Sequence, residues 1–374
     1  MNMAIRLLTL VLASLVTWAA PAFADGPSGL AAAAAEATAA DLRQTTPDGF
    51  VREWTIQTAL IGNNRLAGTG HVAVAVHATR GWQTCRVAGT PCRILLFLPG
   101  FDGSPQASYL GPMFGLRQAV DQQVAKNALP PLVVVIVDPR TVLGGSFYTD
   151  SPISGRWATF LTQELLPEVE RALLFSDGPK RRWVAGHSMG GFGALHLTLR
   201  APEAWQGAVA ISPVAGTAFA QGPRLRAAVA GARKDPNRLD VLVTKPTTQA
   251  FSERLFWSMA AAWTSPARAN QWRQALDLRE AGNIAAEAWQ DWQKFDPAQR
   301  VVRDPEVCKL RRLVLTVGRK DPIIAVEEVN AVGAALLRRC GVGGQVKVVV
   351  HEGNHGNRVQ QDLIEGLQEL GRGE

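Results

Sequence analysis

An α/β fold built on a mostly parallel, doubly wound sheet is predicted by three features of the sequence. Continuous apolar runs recur through the chain, amphipathic stretches separate them, and one segment at 183–195 passes from an apolar strand through a glycine-flanked turn into a helix of small residues. Runs of Val, Ile and Leu too continuous to alternate belong to strands covered on both faces, and helices between them supply the crossovers.

The elements follow in order. Trp54 to Ile61 and His71 to His77 alternate apolar or small residues with polar ones and predict an antiparallel start to the sheet. Ile94 to Leu98 and Leu132 to Val137 are buried strands around a helix near Met113 to Ala128. A second helix is predicted over Arg156 to Leu174, a strand at Trp183 to Ala185, a helix over Ser188 to Leu199 and a strand at Ala208 to Ile211. The pattern resumes with a strand at Leu313 to Val317, a helix over Ile323 to Arg339, a strand at Val346 to Val350 and a helix from Asn357 to Leu370. Between about 217 and 305 no apolar run is long enough for a central strand, and Trp257, Trp263, Trp272, Trp289 and Trp292 crowd there. A helical insertion is expected, its Trp residues either packing a cap onto the main domain or lining an acyl or aromatic pocket.

The first 24 residues have the form of an export signal: Arg6, an apolar run from Leu7 to Ala20, and Ala22-Phe23-Ala24 before Asp25. That run is shorter than the roughly 18 to 20 residues that span a bilayer, and no transmembrane segment is expected after signal removal. Residues 25–50 are expected to be a linker and 51–374 the folded domain, placed in the periplasm or outside the cell. The net charge of +7 is thinly spread, and no Lys/Arg run is interleaved with aromatics, which argues against a nucleic-acid partner. Four cysteines in an exported chain predict two disulfides, and proximity favours Cys85 with Cys92 and Cys308 with Cys340. None has the spacing of a zinc site.

Gly186-His187-Ser188-Met189-Gly190 is a G-x-S-x-G turn between strand and helix. The turn must be strained to expose the Ser188 hydroxyl, so the residues two before and two after it must lack side chains. The helix N-terminus behind it favours a developing anion. A hydroxyl is a weak nucleophile and needs a base later in the chain. His355 lies in the loop after the strand 346–350, flanked by Asn354 and Gly356; His351 is the rival, at the strand end. Asp321, in the loop after 313–317, would orient the imidazole, though an Asp before Pro322 also suits a helix cap. Glu352, Asp304 and Asp296 are weaker candidates. The order Ser, Asp, His matches the α/β-hydrolase topology. The oxyanion would be held by the Met189 amide and by one from the loop Leu98 to Ser104, with Phe101 preferred and Asp102 the alternative.

Together the 186–195 segment, the 98–104 loop, Gly145-Ser146-Phe147-Tyr148 with 151–170, and the Asp321 and His355 loops resemble the putative esterase family, which includes esterase D, feruloyl esterases, enterochelin esterases and mycolyltransferases. The resemblance covers about 93–370 without the insertion. It implies hydrolysis of small-molecule or polymer-linked carboxylic esters without metal or organic cofactor, with Ser188, Asp321 and His355 as the triad and the Phe101 and Met189 amides as the oxyanion hole. Pro99 stands where many relatives have His. Transfer of the acyl group to a sugar or lipid alcohol, and a non-catalytic binding protein on the same scaffold, are the competing expectations.

Overall fold

The computed structural model describes residues 48–62, 66, 70–245, 248–279, 282–341 and 345–372. The expected export signal at 1–24 and nearly all of the expected linker at 25–50 therefore lie outside the described residues. An eight-stranded sheet forms the centre. Its strands are β1 (Phe50–Gln57), β2 (His71–Ala78), β3 (Arg93–Leu98), β4 (Leu132–Val137), β5 (Arg182–His187), β6 (Gly207–Ile211), β7 (Leu313–Gly318) and β8 (Val346–His351), in the spatial order β1-β2-β4-β3-β5-β6-β7-β8. Strand β2 runs antiparallel to β1 and β4, and the remaining pairs are parallel. This is the mostly parallel sheet of an α/β hydrolase, as the sequence predicts.

Strand alternation divides the core between two faces. Ile94, Leu96, Leu98, Val133, Val135 and Val137 point into one cluster, and Leu95, Phe97, Leu132, Val134 and Ile136 into the other. The second is covered by α1 (Leu116–Ala125) and the C-terminal helix. The first is covered by α2 (Leu166–Ala172), which continues a π-helical turn at Phe160–Leu165, and by α3 (Met189–Arg200). Both faces are buried, which is why the strands read as unbroken apolar runs.

Several boundaries differ from expectation for local reasons. The first strand lies at Phe50–Gln57 instead of 54–61, because the chain turns at Thr58: its amide bonds Gly70 O at 3.0 Å and its carbonyl accepts from Gly62 at 2.9 Å. Helix α1 starts only after Gly115, whose φ of 61° breaks the preceding turn. The insertion between β6 and β7 holds α4 (Pro223–Lys234), α5 (Arg238–Thr244), α6 (Phe251–Ala262), α7 (Ala286–Trp292) and α8 (Pro297–Arg303), with a short antiparallel ladder of Leu276–Asp277 and Asn283–Ile284. Helices α9 (Val326–Cys340) and α10 (Val359–Gly371) follow β7 and β8.

Packing is the use the insertion makes of its tryptophans. Trp257, Trp263, Trp272 and Trp292 are buried, and Trp289 packs half-buried on the same cluster. Trp263 meets Phe147, Phe192 and Trp292 at centroid distances of 5.3, 5.6 and 5.7 Å, joining the cap to α3 and to the segment before α2. Cys85 pairs with Cys92 and Cys308 with Cys340, at Cα separations of 5.0 and 5.3 Å. Among the described residues no helix is long and apolar enough to cross a membrane.

His196, on α3, is buried and stacks between Phe192 and Phe295. Burial first, then the charges of Arg300 and Arg200, push its pKa down to about 3. An unfolded chain takes up a proton here near the ordinary value of 6.5, whereas the folded chain does not until about pH 3, so stability falls as pH drops through that window. Replacing His196 by Phe is expected to flatten the decline of the thermal midpoint between pH 7 and pH 4. Unfolding curves across that range check this, and an unchanged slope counts against it.

Candidate active site

Parallel strands present their carboxyl ends at one edge of a sheet, and the register keeps those ends level. Leu98 pairs with Gly186, His187 with Ile211, and Gly318 with His351. The loops after β3, β5, β7 and β8, which carry Phe101, Ser188, Asp321 and His355, therefore open at the same edge.

Ser188 sits between β5 and α3 at φ 59° and ψ −115°, a strained conformation for a residue with a side chain. Its amide bonds Ile211 O at 2.9 Å and its carbonyl accepts from Phe192 at 3.0 Å, so β6 and α3 hold the turn. The flanking glycines are a steric requirement. A Cβ on Gly190 would lie 1.8 Å from Leu98 O, and one on Gly186 would lie 2.2 Å from Gly190 O.

His355 donates through Nδ1 to Asp321 Oδ2 at 2.8 Å. Asp321 is fully shielded at its side chain, and its other oxygen accepts the amides of Ile323 and Ile324 at 2.8 and 3.0 Å. One carboxylate thus orients the imidazole and also closes the turn that delays α9 to Val326. Burial, the largest influence, would raise this carboxyl; the His355 hydrogen bond and charge and the two amides outweigh it, and Asp321 is held below the usual carboxylate range. The two loops are bound to each other: Arg319 donates its amide to His351 O at 2.7 Å and Lys320 to Gly353 O at 3.0 Å.

The rivals are occupied. His351 binds Asp362 through Nε2 at 2.9 Å and accepts the Gly353 amide at Nδ1. Glu352 is exposed and paired with Arg319, Asp304 caps a turn at Glu306, and Asp296 caps α8 at Gln299. Asp102 is excluded as an oxyanion donor, because its amide already donates to Gly144 O at 3.0 Å. The Met189 amide opens α3, and Phe101 lies on the loop between Gly100 and Gly103.

His187, inside the turn, links the elbow to the His355 loop. Its Nε2 donates to His355 O at 2.6 Å, and the two rings lie 4.7 Å apart. Burial, then the neighbouring His355 charge, lowers its pKa to about 3, so it stays neutral beside the paired imidazole. Nothing in its spacing announced this, since it depends on a contact 168 residues away. A cavity of about 490 Å³ lies over the antiparallel end of the sheet, lined by residues including Thr55, His71, Asp138 and Arg140, and not by Ser188, Asp321 or His355. Among the described residues no cluster of His, Cys, Asp and Glu could hold a metal ion.

The sequence model of a family described as "Putative esterase" matches residues 72–370. The iron(III) enterobactin esterase of Dickeya dadantii (strain 3937) is 33% identical over 92 residues, which are 25% of this chain and 20% of that protein. The chain thus matches about a fifth of that curated relative's length. A solved ferulic acid esterase superposes with a TM-score of 0.57 at 16% identity, covering 87% of this chain and 98% of that one. An S-formylglutathione hydrolase from Agrobacterium tumefaciens gives 0.53 at 14% identity, covering 88% and 96%. These likenesses are of fold.

Replacing Gly190 by Ala drives a methyl group into the Leu98 carbonyl and is expected to destabilise the chain by more than about 3 kcal/mol. Urea denaturation measures it, and a variant as stable as the parent contradicts the elbow geometry.

Proposed function

The chain belongs to the putative esterase family, and on that footing we propose that it is an exported serine hydrolase of carboxylic esters. Ser188 Oγ attacks the ester carbonyl while His355 Nε2 takes its proton. Asp321, kept ionised by its hydrogen bonds, holds Nδ1–H and stabilises the imidazolium. The Phe101 and Met189 amides receive the negative charge that develops on the carbonyl oxygen. His355 then returns the proton to the departing alcohol, and water activated by the same imidazole releases the acid from the acyl-enzyme.

The observation that carries this reading is the Asp321–His355 pair, on the sheet edge where the Ser188 turn is strained open. Export is supported by the signal-like first 24 residues and by two cysteine pairs at disulfide distance. The substrate is proposed to be a small-molecule or polymer-linked ester, with no metal or organic cofactor taking part.

Ser188→Ala is expected to lower kcat/KM on a short-chain nitrophenyl ester by at least about a thousandfold, and Asp321→Asn by about a thousandfold or more, with folding intact. Steady-state kinetics on both variants test the assignment. Activity of Ser188→Ala within about tenfold of wild type refutes it.

A further inference from the structure

The turn that carries Phe101 is closed by one hydrogen bond of its own, from the Gly103 amide to Gly100 O at 3.0 Å, and the Tyr148 hydroxyl holds Pro99 O at 2.6 Å, which leaves the Phe101 peptide between them without a side-chain restraint from its own loop. Gly100 and Gly103 flank it, and glycine restricts the backbone least. Yet an amide donor aids catalysis only if its direction is set before charge develops.

Helix α6 of the insertion supplies the restraint. Arg254, with only 4% of its side chain exposed, donates Nη1 to Asp102 Oδ1 at 2.7 Å and Nη2 to Asp102 Oδ2 at 2.5 Å. The same Nη1 reaches Leu143 O at 3.3 Å, and Ser258, one turn on, donates to that carbonyl at 3.2 Å. Asp102 adopts φ 59°, a left-handed conformation that costs an L-residue about 1 kcal/mol. Its amide is tied to Gly144 O, so both backbone and side chain are engaged. A glycine would take this backbone freely but would leave the buried guanidinium without its carboxylate.

The contact surface is closely fitted. A Cβ on Gly144 would lie 2.5 Å from the Phe101 ring, 2.6 Å from the Asp102 carboxylate and 2.7 Å from the Arg254 guanidinium. One on Gly145 would lie 2.3 Å from Met189 Sδ. Phe251, a turn before Arg254, meets the Phe101 ring edge-on at 5.4 Å. The segment 143–145 is thus wedged between the cap and the two residues whose amides serve as oxyanion donors.

We propose that Arg254 is a positioning residue for the oxyanion hole: by clamping Asp102 from the insertion it fixes the direction of the Phe101 amide. This rests on the esterase reading of Ser188. The insertion is then a buttress of the reaction centre, and the pair acts on the transition state and not on ester binding.

The test uses the full chain with Arg254→Met, which leaves no buried charge unpaired, Asp102→Asn, which tolerates the left-handed backbone, the double variant, and Arg254→Lys. Each of the first two is expected to lower kcat on a nitrophenyl ester by about 10- to 100-fold with KM within about threefold. The double variant is expected to be no slower than the worse single within about threefold, because one interaction is removed only once. Arg254→Lys recovers part of the loss. Amide hydrogen exchange is read alongside: peptides spanning 99–104 lose at least about tenfold protection in Arg254→Met, while those of α10 do not change.

A kcat for Arg254→Met within threefold of an active wild type overturns the proposal, as do an effect on KM alone, single losses that multiply in the double variant, or equal loss of protection in α10. If Arg254→Met does not fold, Arg254→Lys and Asp102→Asn decide by the same criteria. If the wild type hydrolyses no ester, the esterase reading fails by itself, and the exchange of 99–104 alone decides whether the clamp exists.

Discussion

Everything at the carboxyl edge of this sheet depends on one backbone-to-backbone approach, where Gly190 comes against the carbonyl of Leu98. No atom fits between them. That contact sets α3 down on β3 and turns the chain sharply at Ser188. It also brings the loop after β3, which carries Phe101, to the side of the elbow. Gly186 extends the same contact from the strand side. The pair of glycines does more than permit a turn, because it decides how far the helix stands from the sheet.

The opposite half of the site is organised by hydrogen bonds that tie two loops to each other. Arg319 and Lys320 bond to the backbone at His351 and Gly353. This brings Asp321 to the imidazole of His355. The carboxylate is divided between two tasks, one oxygen closing its own turn and the other facing the ring. The helix cap that an Asp before Pro suggests is not made, because α9 begins only after Ala325; Asp321 instead closes the turn ahead of the helix while it orients the imidazole. His187 then joins the halves, a buried neutral ring between the elbow and the His355 loop.

The insertion follows a simpler logic. Its aromatic residues continue the core over one sheet face, so Trp263 meets Phe147 and Phe192 of the main domain as closely as it meets Trp292 of the cap. Such a cap is part of the folded unit and not a separate flap. Its deeply buried Arg254 is directed at the loop beside the elbow, where it pairs with Asp102.

Much of this was legible in the sequence, because it depends on local rules. Strands covered on both faces are continuous in apolar residues, crossover helices are amphipathic, and a strained strand-to-helix turn demands glycine at fixed spacings, so the sheet and the turn at Ser188 could be read directly. The boundaries at Thr58, Gly115 and Val326 could not, since each is set by a hydrogen bond or turn that competes with propensity. Nor could the occupation of His351 by Asp362, the use of the Asp102 amide by Gly144, or the pairing of Asp102 with Arg254 across 152 residues. Those choices belong to the tertiary structure because a polar group spends its hydrogen bonds on whatever burial brings near it, and spacing along the chain does not say what that will be.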